Sequence, residues 1–334
     1  MKKIEIGIIG YGKMGKIRAQ CIDKHPLAVV GQVYDQDIKD SISYKRAKNS
    51  EDIIGDSNID AVIICTPNHL NKPLTIDALQ NGKHVFCEKP PAFDANDVEE
   101  IIKSEQNSGK KLMYGFNHRH HGSIQKIKSM IDSKEMGKVL WMRGRYGKSV
   151  DSSFYEAWRA KKEQVGGGIL LDQGIHMLDL FLYLGGDFDQ VKAFVSNLYW
   201  KELDLEDNVF AIMKNTETGM VASLHSTMTQ WRHLFSLEIF LESGYLVLNG
   251  LKTSSGTYGE EVLSIAKNRS TAPAATWEDE ERLTFHDNIS WQSEINHFID
   301  CINENNNISL GNSNDALKLM KLIDSIYLEG LENK

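Results

Sequence analysis

The sequence predicts an α/β N-terminal domain with a doubly wound parallel sheet over residues 1–120, and an α+β domain over 121–334 built on an antiparallel sheet. Three observations predict it. In the first third, short β-branched runs alternate with helix-like stretches, the pattern of a parallel sheet with crossover helices. From Gly137 onward, strand-like segments follow one another without intervening helices, which implies antiparallel pairing. A chain of 334 residues also exceeds what one core usually holds.

Ile4–Ile9 reads as a buried parallel strand, closing in Gly10-Tyr11-Gly12-Lys13-Met14-Gly15 and a helix carrying Ile17, Cys21 and Ile22. This is G-x-G-x-x-G between strand and helix. The first glycine permits a tight turn, the second lets backbone approach a pyrophosphate, and the third lets helix pack on strand. The phosphates would sit at the helix N-terminus, where free N–H groups and the macrodipole favour anions. A second strand, Ala28–Tyr34, delivers Asp35, twenty residues beyond Gly15. An acid there suits the adenosine ribose diol and repels a 2′-phosphate, favouring NAD over NADP; a surface acid beside Asp37 and Asp40 is the alternative.

Ile59–Cys65 reads as a third strand, closed by Thr66-Pro67-Asn68-His69. An amphipathic helix through Leu74, Ala78 and Leu79 stops at Asn81-Gly82, and a fourth strand, His84–Cys87, leads into Glu88-Lys89-Pro90. Ligands bind such sheets at the carboxyl ends of the strands, where Thr66–His69 and Glu88–Pro90 fall. A helix with Val98, Ile101 and Ile102 precedes a strand at 111–115 and then Phe116-Asn117-His118-Arg119.

In the second domain, residues 138–148, 191–200, 207–214, 219–229, 234–242 and 244–249 read as strands. On the first of them, Arg143 and Arg145 suggest a solvated sheet edge. Gly166-Gly167-Gly168 opens a strongly apolar helix running to Gly185-Gly186. On that helix Asp172 and His176, four apart, share a face. The pair suits proton transfer or metal binding, or simple surface pairing. Upstream, Trp158-Arg159 offers an aromatic platform and a fork of donors for a polyhydroxylated ligand, or plain loop packing. Residues 252–288 are polar and turn-rich with no assignable role. Trp291 begins a helix in which Ile295, Phe298, Ile299 and Ile302 form the buried stripe, leaving His297 facing solvent; a final helix spans 314–331.

A net charge of −8 argues against nucleic acid. No apolar run reaches the roughly 18–20 residues of a membrane span, and the first strand lacks a signal-peptide cleavage site. The scattered cysteines (Cys21, Cys65, Cys87, Cys301) read as buried thiols in a reducing cytoplasm, the expected location.

Gly10–Gly15, Cys65-Thr66-Pro67-Asn68-His69, Glu88-Lys89-Pro90, Gly115-Phe116-Asn117-His118-Arg119, and Gly166–Gly168 through Asp172 to His176, in that order, resemble the Gfo/Idh/MocA family of NAD(P)-dependent sugar and cyclitol oxidoreductases. The resemblance implies a Rossmann domain followed by a large, mainly antiparallel open sheet, whose outer face makes a homodimer or homotetramer. It also implies roles. Lys89 contacts the nicotinamide ribose and the reacting hydroxyl, Asp172 binds substrate hydroxyls, and His176 is the general acid/base. Gly10, Tyr11, Gly12, Lys13, Met14, Gly15, Asp35, Thr66, Pro67, Asn68, His69, Glu88 and Lys89 form the cofactor set. Asn117, Arg119, Trp158 and Arg159 join Asp172 and His176 on the substrate side. Asn117-His118-Arg119-His120-His121 departs from the family's commoner N-R-R.

Independently of the family, an imidazole near neutrality suits taking a hydroxyl proton as hydride leaves, and a lysine suits the developing alkoxide. Other readings are an enzyme recycling tightly bound NAD within one turnover (aldose–aldose oxidoreduction or a redox-neutral elimination), a metal-dependent hydrolase using Asp172, His176 and Asp179, and a non-catalytic NAD sensor. The reading adopted is NAD-dependent oxidation of a secondary hydroxyl on a sugar, nucleotide sugar or cyclitol, with no bound metal.

Overall fold

The structure is a computed structural model and describes residues 3–38, 42–267 and 276–332. Asp40, and residues 268–275 of the polar stretch left without a role, lie outside the described residues. Two compact units emerge: Met1–Asn117 with Ser290–Met320, and His118–Ile289 with Lys321–Lys334.

In the first unit β1 (Ile4–Ile9), α1 (Lys13–Asp23), β2 (Ala28–Tyr34), β3 (Lys45–Arg46), α2 (Ser50–Ile54), β4 (Ala61–Ile64), α3 (Asn71–Gln80), β5 (His84–Cys87), α4 (Ala95–Ser108) and β6 (Leu112–Tyr114) alternate. The strands form one parallel sheet in the order β3-β2-β1-β4-β5-β6. That is the doubly wound order, with its switch point between β1 and β4. All four β4 residues are buried, as the continuous Val/Ile run requires of a strand covered on both faces.

The first break between the units falls at Asn117/His118, and the C-terminal span is not one body. Helix α8 (Ser290–Asn303), numbered here in chain order after the second unit's elements, returns to the first unit. Ile295, Phe298 and Ile299 join Ile4, Ile6, Ile8 and Phe86 in one core, and Phe298 meets Phe86 edge-on at 5.8 Å. Each such buried side chain stabilises by about 1.5–3 kcal/mol. The predicted apolar stripe was therefore right and only its partner surface was unforeseen. His297 is half-buried rather than solvent-facing, and its Nε2 lies 3.3 Å from the Ser309 N–H.

His84 gives this unit a pH dependence. Its Nδ1 accepts the Lys111 N–H at 3.0 Å, and burial, with Lys110 and Lys111 nearby, pulls the imidazole down to about 4 from 6.5. Below pH 6.5 the unfolded chain gains a proton that the folded ring refuses, so stability falls as pH drops from 6.5 towards about 4. For a part-buried ring the loss is about 1–2 kcal/mol. His84→Gln keeps an acceptor without the titration and should flatten the stability–pH curve in that window, read by urea unfolding. Parallel curves for parent and variant would remove His84 as the cause.

The second unit holds α5 (Gly122–Ser133), β7 (Val139–Gly147), α6 (Lys162–Val165), α7 (Ile175–Gly185), β8 (Gln190–Ser196), β9 (Asn208–Lys214), β10 (Val221–Thr227), β11 (Leu234–Leu241), β12 (Gly244–Asn249), β13 (Glu261–Lys267) and β14 (Glu281–Phe285), with the end of α9 (Ser313–Glu332). The eight strands run β14-β13-β12-β11-β7-β10-β9-β8, antiparallel except for the β7–β10 pair. Helix α7 covers one face: a Cβ on Gly144 would meet Met177 at 2.4 Å and Phe181 at 2.8 Å.

Four expectations change here. Arg143 is on a central strand, not an edge, and forks onto Glu238 of β11 on the open face. The strand foreseen to residue 200 stops at Ser196, because the N–H groups of Leu198, Tyr199 and Trp200 turn in to the buried Asp207 carboxylate at 2.7–2.8 Å. The stretch left without a role supplies β13 and β14. The span Lys162–Gly185 does have the length and mean hydropathy (1.2) of a membrane-crossing helix, contrary to expectation, but its apolar window is 78% buried in the fold.

Candidate active site

The first unit presents the cofactor cradle. Gly10 has φ +90°, open to glycine at little cost, and a Cβ there would lie 2.4 Å from the Cys65 carbonyl oxygen. A Cβ on Gly15 would lie 2.1 Å from the Gly10 oxygen, so the helix can start against the turn only without one. Gly12, between them, faces open space. It is also the N-cap of α1, with no side chain capping it, so no side chain there competes with an anion for the helix N-terminus. These observations fit a dinucleotide pyrophosphate. Tyr11 is buried against Tyr44 at 6.0 Å, Lys13 is exposed and Met14 half-buried. Asp35 is drawn to the same loop: its Oδ2 accepts the Tyr11 N–H at 2.7 Å.

Around the switch point, Asn68 and His69 form a single helical turn after Thr66 and Pro67. Asn71, fully buried, donates from Nδ2 to the Glu88 carbonyl at 3.2 Å and the Pro90 carbonyl at 2.8 Å. It thus ties the 66–70 turn to the loop carrying Lys89, which is half-buried. Glu88 corrects an expectation. Its carboxylate is engaged by Arg18, with Nε at 2.8 Å and Nη2 at 2.7 Å, so its side chain supports the loop rather than offering itself to a cofactor. Arg18 also reaches Glu294 on α8 at 2.7 Å and lies over the Phe86 ring at 4.5 Å. Burial alone would lower this guanidinium, but Glu294 and Glu88 more than reverse that, so Arg18 stays charged. Asn117 donates to the Ser290 hydroxyl at 3.2 Å.

The second unit assembles the other group. Residues Leu170–Gly174 form a π-turn leading into α7, with the Ile175 N–H reaching the Leu170 carbonyl. Such turns recur at functional sites. Asp172 lies within it and takes the Lys148 ammonium at 3.0 Å, with Arg159 Nε at 3.7 Å on its other oxygen. Arg159 lies 4.4 Å over the Trp158 ring, so both expected residues arrive beside Asp172. His176 is 6% exposed, and its ring lies flat on that of His118, centroids 3.9 Å apart and planes at 18°.

One further expectation is corrected. Arg119 does not face a ligand; it grips Asp179 through Nε at 2.9 Å and Nη2 at 2.7 Å, with both side chains buried. An acid on the core side of α7 needs that partner. The same pairing commits the carboxylate that a metal-hydrolase reading required, and among the described residues no cluster of His, Cys, Asp or Glu is arranged to hold a metal ion. Two of the glycines that open this segment make room for Glu206 and Tyr327. A Cβ on Gly168 would sit 2.2 Å from the Glu206 carbonyl oxygen, and one on Gly167 would sit 2.3 Å from the Tyr327 hydroxyl. The Glu206 carboxylate accepts from the Gly168 and Leu170 N–H groups (2.8 and 3.0 Å) and from Tyr327 (2.9 Å).

The sequence alone did not point to Arg18, Glu206 or Tyr258 as contributors. A lone arginine on the apolar face of α1 was one available signal, and the departure from N-R-R at His118 was another.

Residues 4–116 match the family model for the NAD-binding Rossmann fold of the Gfo/Idh/MocA oxidoreductases, and residues 124–247 match that family's C-terminal domain. The chain belongs to the Gfo/Idh/MocA family. Among its curated family relatives, the myo-inositol 2-dehydrogenase of Thermotoga maritima is 30% identical over 193 residues, 55% of each chain. The levoglucosan dehydrogenase of Pseudarthrobacter phenanthrenivorans is 29% identical over 213 residues, 59% of this chain and 55% of that one. The chain therefore spans a little over half the length of these relatives. In fold, it superposes on a levoglucosan dehydrogenase solved with NADH and levoglucosan at a TM-score of 0.87, with 22% identity over 100% of this chain and 98% of that one.

Proposed function

We propose that this Gfo/Idh/MocA chain is an NAD-dependent dehydrogenase acting on a secondary hydroxyl of a sugar or cyclitol ring. The observation that carries the reading is the grouping on and around the π-turn. Asp172 with Lys148 and Arg159 offers an acceptor flanked by donors, suited to vicinal hydroxyls, and His176 follows on the same segment. NAD, when bound, supplies the hydride acceptor. Gly10–Gly15 and the uncapped first turn of α1 would hold its pyrophosphate, and Asp35 its ribose diol. His176 takes the hydroxyl proton during oxidation and returns it in the reverse direction. Lys89 enters through its motif as the cation for the developing alkoxide.

Sugar-type substrates are supported by the relatives, which are named for levoglucosan and inositol. A homodimer or homotetramer through the open sheet face is supported by its exposed Phe194 (67%), Phe210 (51%) and Ile212 (57%). The test is a screen of free sugars, anhydrosugars, cyclitols and nucleotide sugars for NAD reduction at the nicotinamide absorbance. Turnover with any polyol supports the reading, and none across the panel, with NADH binding intact, would sink it. For the cofactor, Asp35→Ala should weaken NAD binding about tenfold and leave NADP nearly unchanged, measured by nicotinamide fluorescence. Equal weakening of both would end the assigned preference.

A further inference from the structure

We propose that His118 and the hydrogen-bonded chain behind it are positioning elements for His176. The inference rests on the assignment of His176 as the acid/base. His118 is 4% exposed and lies in van der Waals contact along the whole His176 ring, so it fixes the plane of that imidazole. Its Nε2 is 3.0 Å from the Tyr146 hydroxyl on β7. Tyr146 bonds in turn to Tyr258, and the Tyr258 hydroxyl donates to Gln173 Oε1 at 3.0 Å. Gln173 lies in the π-turn, between Asp172 and His176. The chain thus starts on the ring stacked against His176 and ends on the segment that carries His176.

Its direction is set by its end. An amide oxygen only accepts, so Tyr258 donates to Gln173, Tyr146 donates to Tyr258, and the Tyr146 oxygen is left to accept a proton from His118 Nε2. His118 Nε2 therefore carries a proton. The charges around the two rings are mostly paired. His121 bonds Glu261 at 2.9 Å, and Arg119 grips Asp179. Further out, Lys148 sits on Asp172, and His233 meets the Tyr258 ring edge at 4.8 Å. A proton on His118 would set a second cation against the His176 ring and lower its basicity. The chain fixes which His118 nitrogen is the donor towards Tyr146, and so the dipole that the His176 ring faces.

The test reads 15N-labelled histidines in the full-length protein with NADH bound and no substrate. His118 should keep a proton on Nε2 throughout pH 6 to 8. Tyr258→Phe keeps the ring and cuts the chain. It frees the Tyr146 hydroxyl to donate, so His118 should exchange tautomers, and the His176 titration and the pH profile of kcat should shift together. Turnover should fall about tenfold, with the NADH Kd within about twofold of the parent. Tyr146→Phe, which removes the acceptor from His118 directly, must give the same spectral change should Tyr258→Phe fail to fold. An Nδ1–H tautomer for His118 in the parent overturns the proposal, and so do unchanged spectra and pH profile in the variants. Failure of the acid/base assignment itself would show separately, as unchanged turnover in His176→Ala.

Discussion

His176→Ala should lower kcat by a factor of about 10²–10⁴, the range a positioned acid/base contributes, while NADH binding stays within about twofold. The split follows from the architecture. The glycine turn, Asp35 and the first turn of α1 are all in the first unit, whereas His176 sits on α7 in the second. Asp172 keeps its Lys148 contact in the variant, so substrate affinity should suffer little. Stopped-flow kinetics and nicotinamide fluorescence on the same preparation measure both quantities. Added imidazole should restore part of the rate, since the lost group is a proton carrier. An equal loss of NADH binding, or turnover within threefold of the parent, would take His176 out of the mechanism.

Arg18→Met should cost about 3–5 kcal/mol of stability, the penalty for stripping the partner from buried charge. The side chain is fully buried, Glu294 is fully buried, and Glu88 is nearly so. Methionine fills much of the volume and keeps the contact with Phe86, so the loss reports charge rather than a cavity. Adding Glu294→Gln to Arg18→Met removes one stranded carboxylate and should recover a substantial part of the loss, which a packing defect would not. Urea unfolding of the three proteins decides it. A loss below about 1 kcal/mol for Arg18→Met would mean the carboxylates relax to neutral forms at little cost.

What was legible in the sequence was what is local in the chain. Gly10–Gly15 declares its role within six residues, because turn, close approach and helix start are consecutive backbone events. Continuous Val/Ile runs announced buried parallel strands for the same reason. The rest of the candidate site is made by pairs far apart in sequence. Asp172 meets Lys148 and Arg159, Arg18 meets Glu294, and Glu206 meets Tyr327, and nothing in local composition ties the members together. Arg119 misled because its motif position said substrate while its nearest buried acid, Asp179, said core. The apolar stripe of α8 was readable, but a stripe records that a face is covered and not by which unit.

The π-turn at Leu170–Gly174 has a consequence for how this site can change over evolutionary time. A π-turn is an α-helix carrying one residue too many. Deleting a residue there would let the hydrogen bonds close in α register and rotate the preceding backbone by about 100° around the axis. Asp172 would swing away from Lys148 while His176, on the far side, stayed where it is. The angular offset between the hydroxyl-holding acid and the proton-handling histidine is thus set by a whole residue, and point substitutions cannot adjust it by degrees. A lineage shifting to a differently shaped ring would have to remodel Lys148, Trp158 and Arg159 around a fixed pair, or move in a single step by insertion or deletion.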